Sequence, residues 1–120
     1  MAEYKQYITQ IQQGGNVMIS EDVVAAIVLQ SVREIEGFAG LSTKPGADIA
    51  DLIGKNWGKG MKIQIAEDNS VTISCNVVVK FGFSVVDVAK NVQNALTGAV
   101  ESMAGVKVNV VNVNVCGIAR

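Results

Sequence analysis

The fold is decided by residues 61–80, MKIQIAEDNSVTISCNVVVK, in which hydrophobic side chains recur at every second position. Met61, Ile63 and Ile65 show this period first, and it continues beyond the polar segment Glu67–Ser70. Successive side chains of a strand point to opposite faces of a sheet. The pattern therefore predicts an antiparallel hairpin with one buried face and one solvated face.

A long amphipathic helix is predicted after this hairpin. Ser84 and Asp87 have the spacing of an N-terminal cap, and Gly105 is the expected stop. Hydrophobic residues at steps of three and four form one stripe: Val85, Val88, Ala89, Val92, Leu96, Ala99, Val100 and Met103. Gly98 lies inside this helix at a cost of about 1 kcal/mol relative to alanine, which suggests that helix and sheet approach closely there.

A second helix is predicted before the hairpin. Ser20 can cap its start, and Glu21 and Asp22 place negative charge in its first turn, where the helix dipole favours it. One face is hydrophobic and consists of Val24, Ile27, Val28, Val32 and Ile35. Gly37 is the expected end of this helix.

The shorter segments are read more simply. Residues 1–14 form a flexible or helical lead-in, the helical alternative resting on the spacing of Tyr4, Tyr7, Ile8 and Ile11. Asn16–Ile19 is a strand, and Phe38–Thr43 is a strand or an irregular connection. A short helix is expected around Ile49–Ile53, after a turn at Pro45.

The last strand, Val106–Val115, changes phase along its length. Val106, Val108 and Val110 share one face, whereas Val111 and the valines after it share the other. A regular strand cannot keep both sets on one side. Either a β-bulge near Val110 resets the phase, which is the preferred interpretation, or both faces are covered and the strand belongs to a subunit contact.

These elements together predict an α+β fold. We expect a two-layer sandwich in which a small mixed sheet is covered on one face by two main helices. Residues 15–120 would form a single domain, since domains most often contain roughly 100–150 residues.

Composition excludes much chemistry. The 120 residues include no histidine, so nucleophiles activated by histidine and metal sites built on histidine are ruled out. Cys75 falls on the buried face of the hairpin, and with Cys116 it makes a pair too small for a structural zinc site. We therefore expect no catalytic residues, no metal and no cofactor. The net charge of −1 gives no general attraction to nucleic acid.

The glycine-rich loop at residues 54–60 is the best candidate for a binding surface in the middle of the chain. Lys55, Lys59 and Lys62 supply positive charge, and Trp57 supplies a flat apolar surface. Such a loop can contact a phosphate, a nucleobase or an acidic partner. The alternative is a solvated connection whose tryptophan folds back onto the core.

The order of motifs resembles the alkaline shock protein family of envelope stress response proteins. The resemblance covers roughly Gly15 to Ile118 and is carried by the segments GNVMIS (15–20), VVAAI (23–27), EGF (36–38), KGMKI (59–63), VVVKFG (77–82) and VNVNVCGI (111–118). It implies a non-enzymatic cytoplasmic protein of Gram-positive-type bacteria that serves cell-envelope homeostasis. Members similar to this chain self-associate and are held near the membrane by a separate integral-membrane protein.

The leading hypothesis is therefore a scaffold protein that forms homo-oligomers and binds a membrane-anchoring partner without inserting into the bilayer. Val111, Val113 and Asn114 are the candidate contact residues, because an unpaired strand edge is a template for another chain. Two alternatives stay open. One is a nucleic-acid-binding module that uses residues 55–62, and the other is an accessory subunit of a lipid-metabolism enzyme with a pocket between the long helix and the sheet.

Overall fold

The structure is a computed structural model that describes residues 7–42 and 60–120. The elements in chain order are β1 (Tyr7–Gln12), β2 (Gly15–Ser20), α1 (Glu21–Val32), β3 (Phe38–Leu41), β4 (Met61–Ile65), β5 (Val71–Lys80), α2 (Val85–Ala104) and β6 (Val108–Ala119). The expected short helix at Ile49–Ile53 lies outside the described residues.

Strand β5 is the centre of the main sheet. One of its edges pairs antiparallel with β4 along Val71–Cys75 and with β3 along Val77–Val79. The other edge pairs in parallel with β6 over the whole length of β5. The sheet is therefore mixed, as the sequence predicts, and the hairpin of β4 and β5 is confirmed.

Strands β3 and β4 meet end to end beside Asn76. Asn76 donates its backbone N–H to the carbonyl of Gly60 and accepts a hydrogen bond from the N–H of Ser42, each at 2.8 Å. A Cβ atom on Gly60 would lie 2.8 Å from the Cβ of Leu41, and Gly60 has a φ of +79°. Glycine is needed here because the two strand ends approach too closely for a side chain.

Both helices cover the same face of the main sheet. The alternate residues of β5 on that face are completely buried: Val71, Ile73, Cys75, Val77 and Val79. Val28 of α1 and Val92 and Leu96 of α2 are fully buried in the same core. Full burial of such side chains stabilises by roughly 1.5–3 kcal/mol each. The predicted two-layer α+β arrangement is confirmed.

The predicted ends of the two helices are confirmed in part. The hydroxyl of Ser84 accepts a hydrogen bond from the N–H of Asp87 at 3.4 Å, so the predicted cap of α2 is confirmed. Gly105 ends α2 in the left-handed conformation, with its N–H bonded to the carbonyl of Glu101. Ser20 occupies the cap position of α1 without a side-chain hydrogen bond. Helix α1 ends at Val32, five residues before the expected stop at Gly37.

Two expectations for α2 are wrong. Met103 belongs to the predicted buried stripe but is 71% exposed near the end of the helix. Gly98 is predicted to allow a close contact with the sheet, yet a Cβ atom built there meets no heavy atom within 4 Å. Gly98 lies on the solvent side of α2, so its position reflects no packing requirement among the described residues.

A strand, β1, occupies residues 7–12 of the expected flexible or helical lead-in, whereas residues 1–6 lie outside the described residues. β1 pairs antiparallel with β2 in a separate two-stranded sheet, and Ile8 is fully buried in the main core. The helical spacing of Tyr7, Ile8 and Ile11 is therefore not realised, and Ile11 is 85% exposed. Pairing with β2 satisfies the backbone of a segment too short to form a stable helix alone.

Strand β6 contains the predicted bulge. The register with β5 shifts between Val108 and Val110, which leaves Asn109 as the extra residue. Val108 and Val111 consequently both lie on the helix face and are 8% exposed, whereas Val110 is 47% exposed. A second shift occurs between Val115 and Gly117, where Cys116 is the extra residue.

Replacement of Gly98 by alanine should stabilise the protein. The added methyl group meets no neighbour, and alanine restricts the unfolded chain more than glycine does, so the free energy of unfolding should rise by about 0.5–1 kcal/mol. Urea unfolding followed by circular dichroism measures the change. The matched control is Gly105→Ala, which should lower stability because residue 105 has a φ of +68°. A lower unfolding midpoint for Gly98→Ala would contradict the structure.

Replacement of Asn69 by glycine should weaken the attachment of the β1–β2 hairpin to the turn between β4 and β5. The amide of Asn69 donates to the carbonyl of Thr9 at 3.1 Å and accepts from its N–H at 3.2 Å. Asn69 has a φ of +69°, which glycine adopts easily, so the substitution removes the side-chain bonds without backbone strain. We expect a loss of about 1–3 kcal/mol, with faster hydrogen exchange in β1. Unchanged exchange at Thr9 would count against this anchor.

Candidate interaction surface

The outer edge of β6 is the most prominent unoccupied backbone surface in the described part of the chain. β6 is a strand of 12 residues that pairs only with β5 among the described strands. Its sequence, VNVVNVNVCGIA, contains no charged residue. Long edge strands are usually protected by charges, prolines or a covering element, because their unpaired groups accept another strand. This edge has no charge or proline of its own.

Hydrogen bonds show which residues of β6 face away from β5. In a strand of a parallel sheet, the N–H and C=O of one residue point to the same side, and those of the next residue point to the opposite side. The carbonyls of Lys107 and Ala119 accept from the N–H groups of Val71 and Phe81 at 2.9 and 2.8 Å, so these residues face β5. With the two register shifts included, the residues between them that face away from β5 are Val108, Val111, Val113, Val115 and Ile118. We call these five the outward positions.

Side chains of α2 occupy two of the outward groups. The N–H of Val108 donates to the Glu101 carboxylate at 3.0 Å, and the carbonyl of Val111 accepts from the Gln93 amide at 3.0 Å. Gln93 and Glu101 are both exposed. These two flexible side chains protect the first half of the edge of β6. No described side chain forms a hydrogen bond with the backbone groups of Val113.

A row of polar side chains crosses the face of the sheet that the helices leave open. The Asn114 amide donates to the Asn76 carbonyl oxygen at 3.1 Å, and the Asn112 amide donates to the Ser74 hydroxyl at 3.5 Å. Lys62 pairs with Ser74 across β4 and β5 and therefore lies on this face. Asn76 is fully buried, and its Nδ2 has no hydrogen-bond partner in the described structure.

The predicted contact residues fall into three groups. Asn114 and Lys62 lie on the open face of the sheet. Val111 and Val113 direct their side chains toward the helix face, and their backbone groups face away from β5. Lys55, Trp57 and Lys59 lie outside the described residues, so the nucleic-acid hypothesis stays a prediction.

An aromatic cleft at the end of the sheet was missed by the sequence analysis. It encloses about 910 Å³ and is lined by Ala39, Lys80, Phe81, Phe83, Ala119 and Arg120. Phe81 is 72% exposed and Phe83 40% exposed. The signal was present in the sequence, since two phenylalanines flank Gly82, where the strand alternation stops. The alternative of an accessory subunit of a lipid-metabolism enzyme placed a pocket between α2 and the sheet, where the structure has packed core side chains such as Leu96.

The titratable groups of the described residues form no reactive constellation. Within residues 7–42 and 60–120, no three cysteine or acidic side chains are grouped to hold a metal ion. The hydroxyl and N–H of Ser70 lower the pKa of Asp68, which serves as a turn acceptor. Burial, with a smaller contribution from Cys116, raises the pKa of the Cys75 thiol to about 12. Burial also raises the pKa of Cys116.

Cys75 should resist alkylation in the folded protein. A thiol with a pKa of about 12 carries little thiolate at pH 8, and its side chain is fully buried. In Cys116→Ser, which keeps Cys75, iodoacetamide should react at least about tenfold more slowly than in Cys75→Ala, which keeps Cys116. Mass spectrometry measures both rates, and denatured samples serve as controls. Equal rates in the folded proteins would contradict the burial of Cys75.

The raised pKa of Cys75 also makes the free energy of unfolding depend on pH. The pKa of Cys75 is higher in the folded chain than the ordinary value of 9.0, so the folded state retains a proton that the unfolded state releases. The free energy of unfolding should therefore be constant below about pH 9 with respect to this group and fall as the pH rises from 9 toward 12.

Comparison with known proteins shows which family the chain matches. Residues 9–120 match the model of the alkaline shock protein family, which is described as having a cell envelope-related function. No solved structure matches the chain significantly. Among the described residues, no helix combines the length and the hydrophobicity that a membrane crossing requires.

The similar proteins come from Gram-positive bacteria. The chain is 31% identical over 105 residues to the uncharacterized protein YqhY of Bacillus subtilis, covering 87% of this chain and 77% of that protein. It is 35% identical over 104 residues to the uncharacterized protein Spy1535 of Streptococcus pyogenes, covering 87% and 79% respectively. None of these names describes an enzymatic activity. Because the family match extends from β1 to the end of β6, the chain belongs to the alkaline shock protein family, whose function is related to the cell envelope.

Proposed function

We propose that this chain is a non-enzymatic protein of cell-envelope homeostasis that works in the cytoplasm by self-association and by binding a membrane-anchored protein. The observation that carries the proposal is the outer edge of β6, twelve residues long and without charge. Strand addition at such an edge supplies backbone hydrogen bonds, and the side chains on alternate positions supply specificity. The cell envelope-related function of the family also supports this proposal.

The aromatic cleft supports a second contact with a partner. Phe81 and Phe83 are large and exposed, and Lys80 and Arg120 lie beside them. Aromatic residues and arginine are enriched at protein interfaces, where they fill pockets of the partner. The cleft adjoins the end of β6 at Ala119, whereas Phe81 and Phe83 belong to the segment that follows β5. The proposed membrane-anchored partner would contact these two aromatic side chains.

Self-association is tested by sedimentation of the purified chain from micromolar to hundreds of micromolar concentration. The average mass should rise above 12.6 kDa as the concentration increases, because the edge strand pairs by mass action. Neutral backbone contacts should make this rise nearly independent of salt. A mass that stays at the monomer value throughout would refute the self-association.

Vesicle flotation tests the second half of the proposal. The purified chain should not float with anionic phospholipid vesicles, since a partner protein is what brings it to the membrane. The Phe81→Ser variant should retain the fold and self-association of the unmodified chain but lose recovery with the membrane fraction of cells. Flotation of the purified chain alone would contradict a partner-dependent location.

A further inference from the structure

We infer that two copies of this chain pair their β6 strands antiparallel about a two-fold axis at Val113, which joins their main sheets into one. This inference rests on the proposed self-association and gives it a register. It is carried by the spacing of the outward positions Val108, Val111, Val113, Val115 and Ile118, which are set by the hydrogen bonds and register shifts of β6.

The outward positions are symmetric about Val113. Val111 and Val115 lie two residues before and after it, and Val108 and Ile118 lie five residues before and after it. In an unbroken strand, every outward position would be such a centre. The two bulges each insert one extra residue between the inner and the outer members of the set, and they leave Val113 as the centre of all five. An antiparallel copy therefore opposes outward groups with outward groups along the whole strand.

The register follows from this symmetry. Val113 faces the partner's Val113, and Val111 faces the partner's Val115. In an antiparallel ladder, such pairs exchange both backbone hydrogen bonds. A shift of the centre to any other residue between Val111 and Val115 would oppose at least one outward residue with a residue that is not outward. Only the register centred on Val113 pairs all five outward positions with one another.

The side chains agree with this pairing on both faces. A two-fold axis perpendicular to the sheet keeps the helices of both copies on one face, where the valines of the outward positions lie together. On the open face, Asn112 lies opposite the partner's Asn114. The row that crosses β5 and β6 through Ser74 and Asn112 thereby continues into the second copy. Directly opposed side chains on one face of an antiparallel pair contact each other and stabilise the pairing.

The caps from α2 occupy two backbone groups that the pairing needs. Gln93 holds the carbonyl of Val111, and Glu101 holds the N–H of Val108. Gln93 is an exposed, flexible side chain, so a backbone N–H of the partner can replace it at little net cost in hydrogen bonds. At the centre of the pairing, Val113 has no such cap among the described residues. Association can therefore begin there and extend outward.

The register is tested with two double variants that differ at one residue. In Asn112→Lys/Asn114→Lys, each lysine would face a lysine of the second copy, whereas in Asn112→Lys/Asn114→Glu each lysine would face a glutamate. Both variants replace the Asn114 amide that donates to Asn76, so a third variant, Asn114→Glu alone, measures the effect of that change by itself. We expect the dissociation constant of the lysine–lysine variant to exceed that of the lysine–glutamate variant by about tenfold or more at low salt.

Sedimentation velocity measures both constants, and circular dichroism confirms that both variants are folded. Equal dissociation constants, with the unmodified chain still associating, would overturn the register and leave the proposed self-association standing. A strictly monomeric unmodified chain would overturn both.

Val113→Pro gives a second measurement that does not depend on position 114. Proline removes the N–H of residue 113, which faces away from β5, so the ladder within the chain keeps its hydrogen bonds. The folded variant should be monomeric at concentrations where the unmodified chain associates. Undiminished association of Val113→Pro would also overturn the pairing.

Discussion

The structure depends on the pairing of β5 along both of its edges. β5 is the one described strand that contacts every other strand of the main sheet, with β3 and β4 on one side and β6 on the other. Its helix face contributes five completely buried side chains, from Val71 to Val79. Because buried backbone groups must be hydrogen-bonded, a strand in this place has to be paired on both sides. The lateral order of the sheet follows from this.

The position of β5 also determines what the protein can offer to other molecules. The helices cover one face, and the backbone groups of β5 are satisfied on both sides. The remaining opportunities within the described residues include the outer edge of β6, the polar row on the open face and the cleft at Phe81. These surfaces contain hydrogen-bonding groups and hydrophobic side chains, and no group of three cysteine or acidic side chains lies together among the described residues.

The sequence predicted the geometry of the candidate surface only in part. The alternation of valine and asparagine pointed to the strand that pairs on one edge only among the described strands, and the change of phase predicted its bulge. It did not show that Val111 and Val113 turn their side chains toward α2, because the facing of a strand depends on which side the helices cover. Phe81 and Phe83 were overlooked because a sequence pattern does not reveal which apolar residues stay exposed. The hairpin of β1 was missed because its pairing with β2 outweighed the helical spacing.

The sequence by itself determined the β4–β5 hairpin, both helices, the mixed α+β class and the poverty of reactive groups. These features depend on local periodicity, caps and residue types, which are visible without coordinates. Only the tertiary structure decided the parallel pairing of β6, the end-to-end meeting of β3 and β4 beside Asn76, and the exposure of Gly98. The physical reason is that strand partners and solvent exposure are set by contacts between residues far apart in the chain, and no local pattern encodes those contacts.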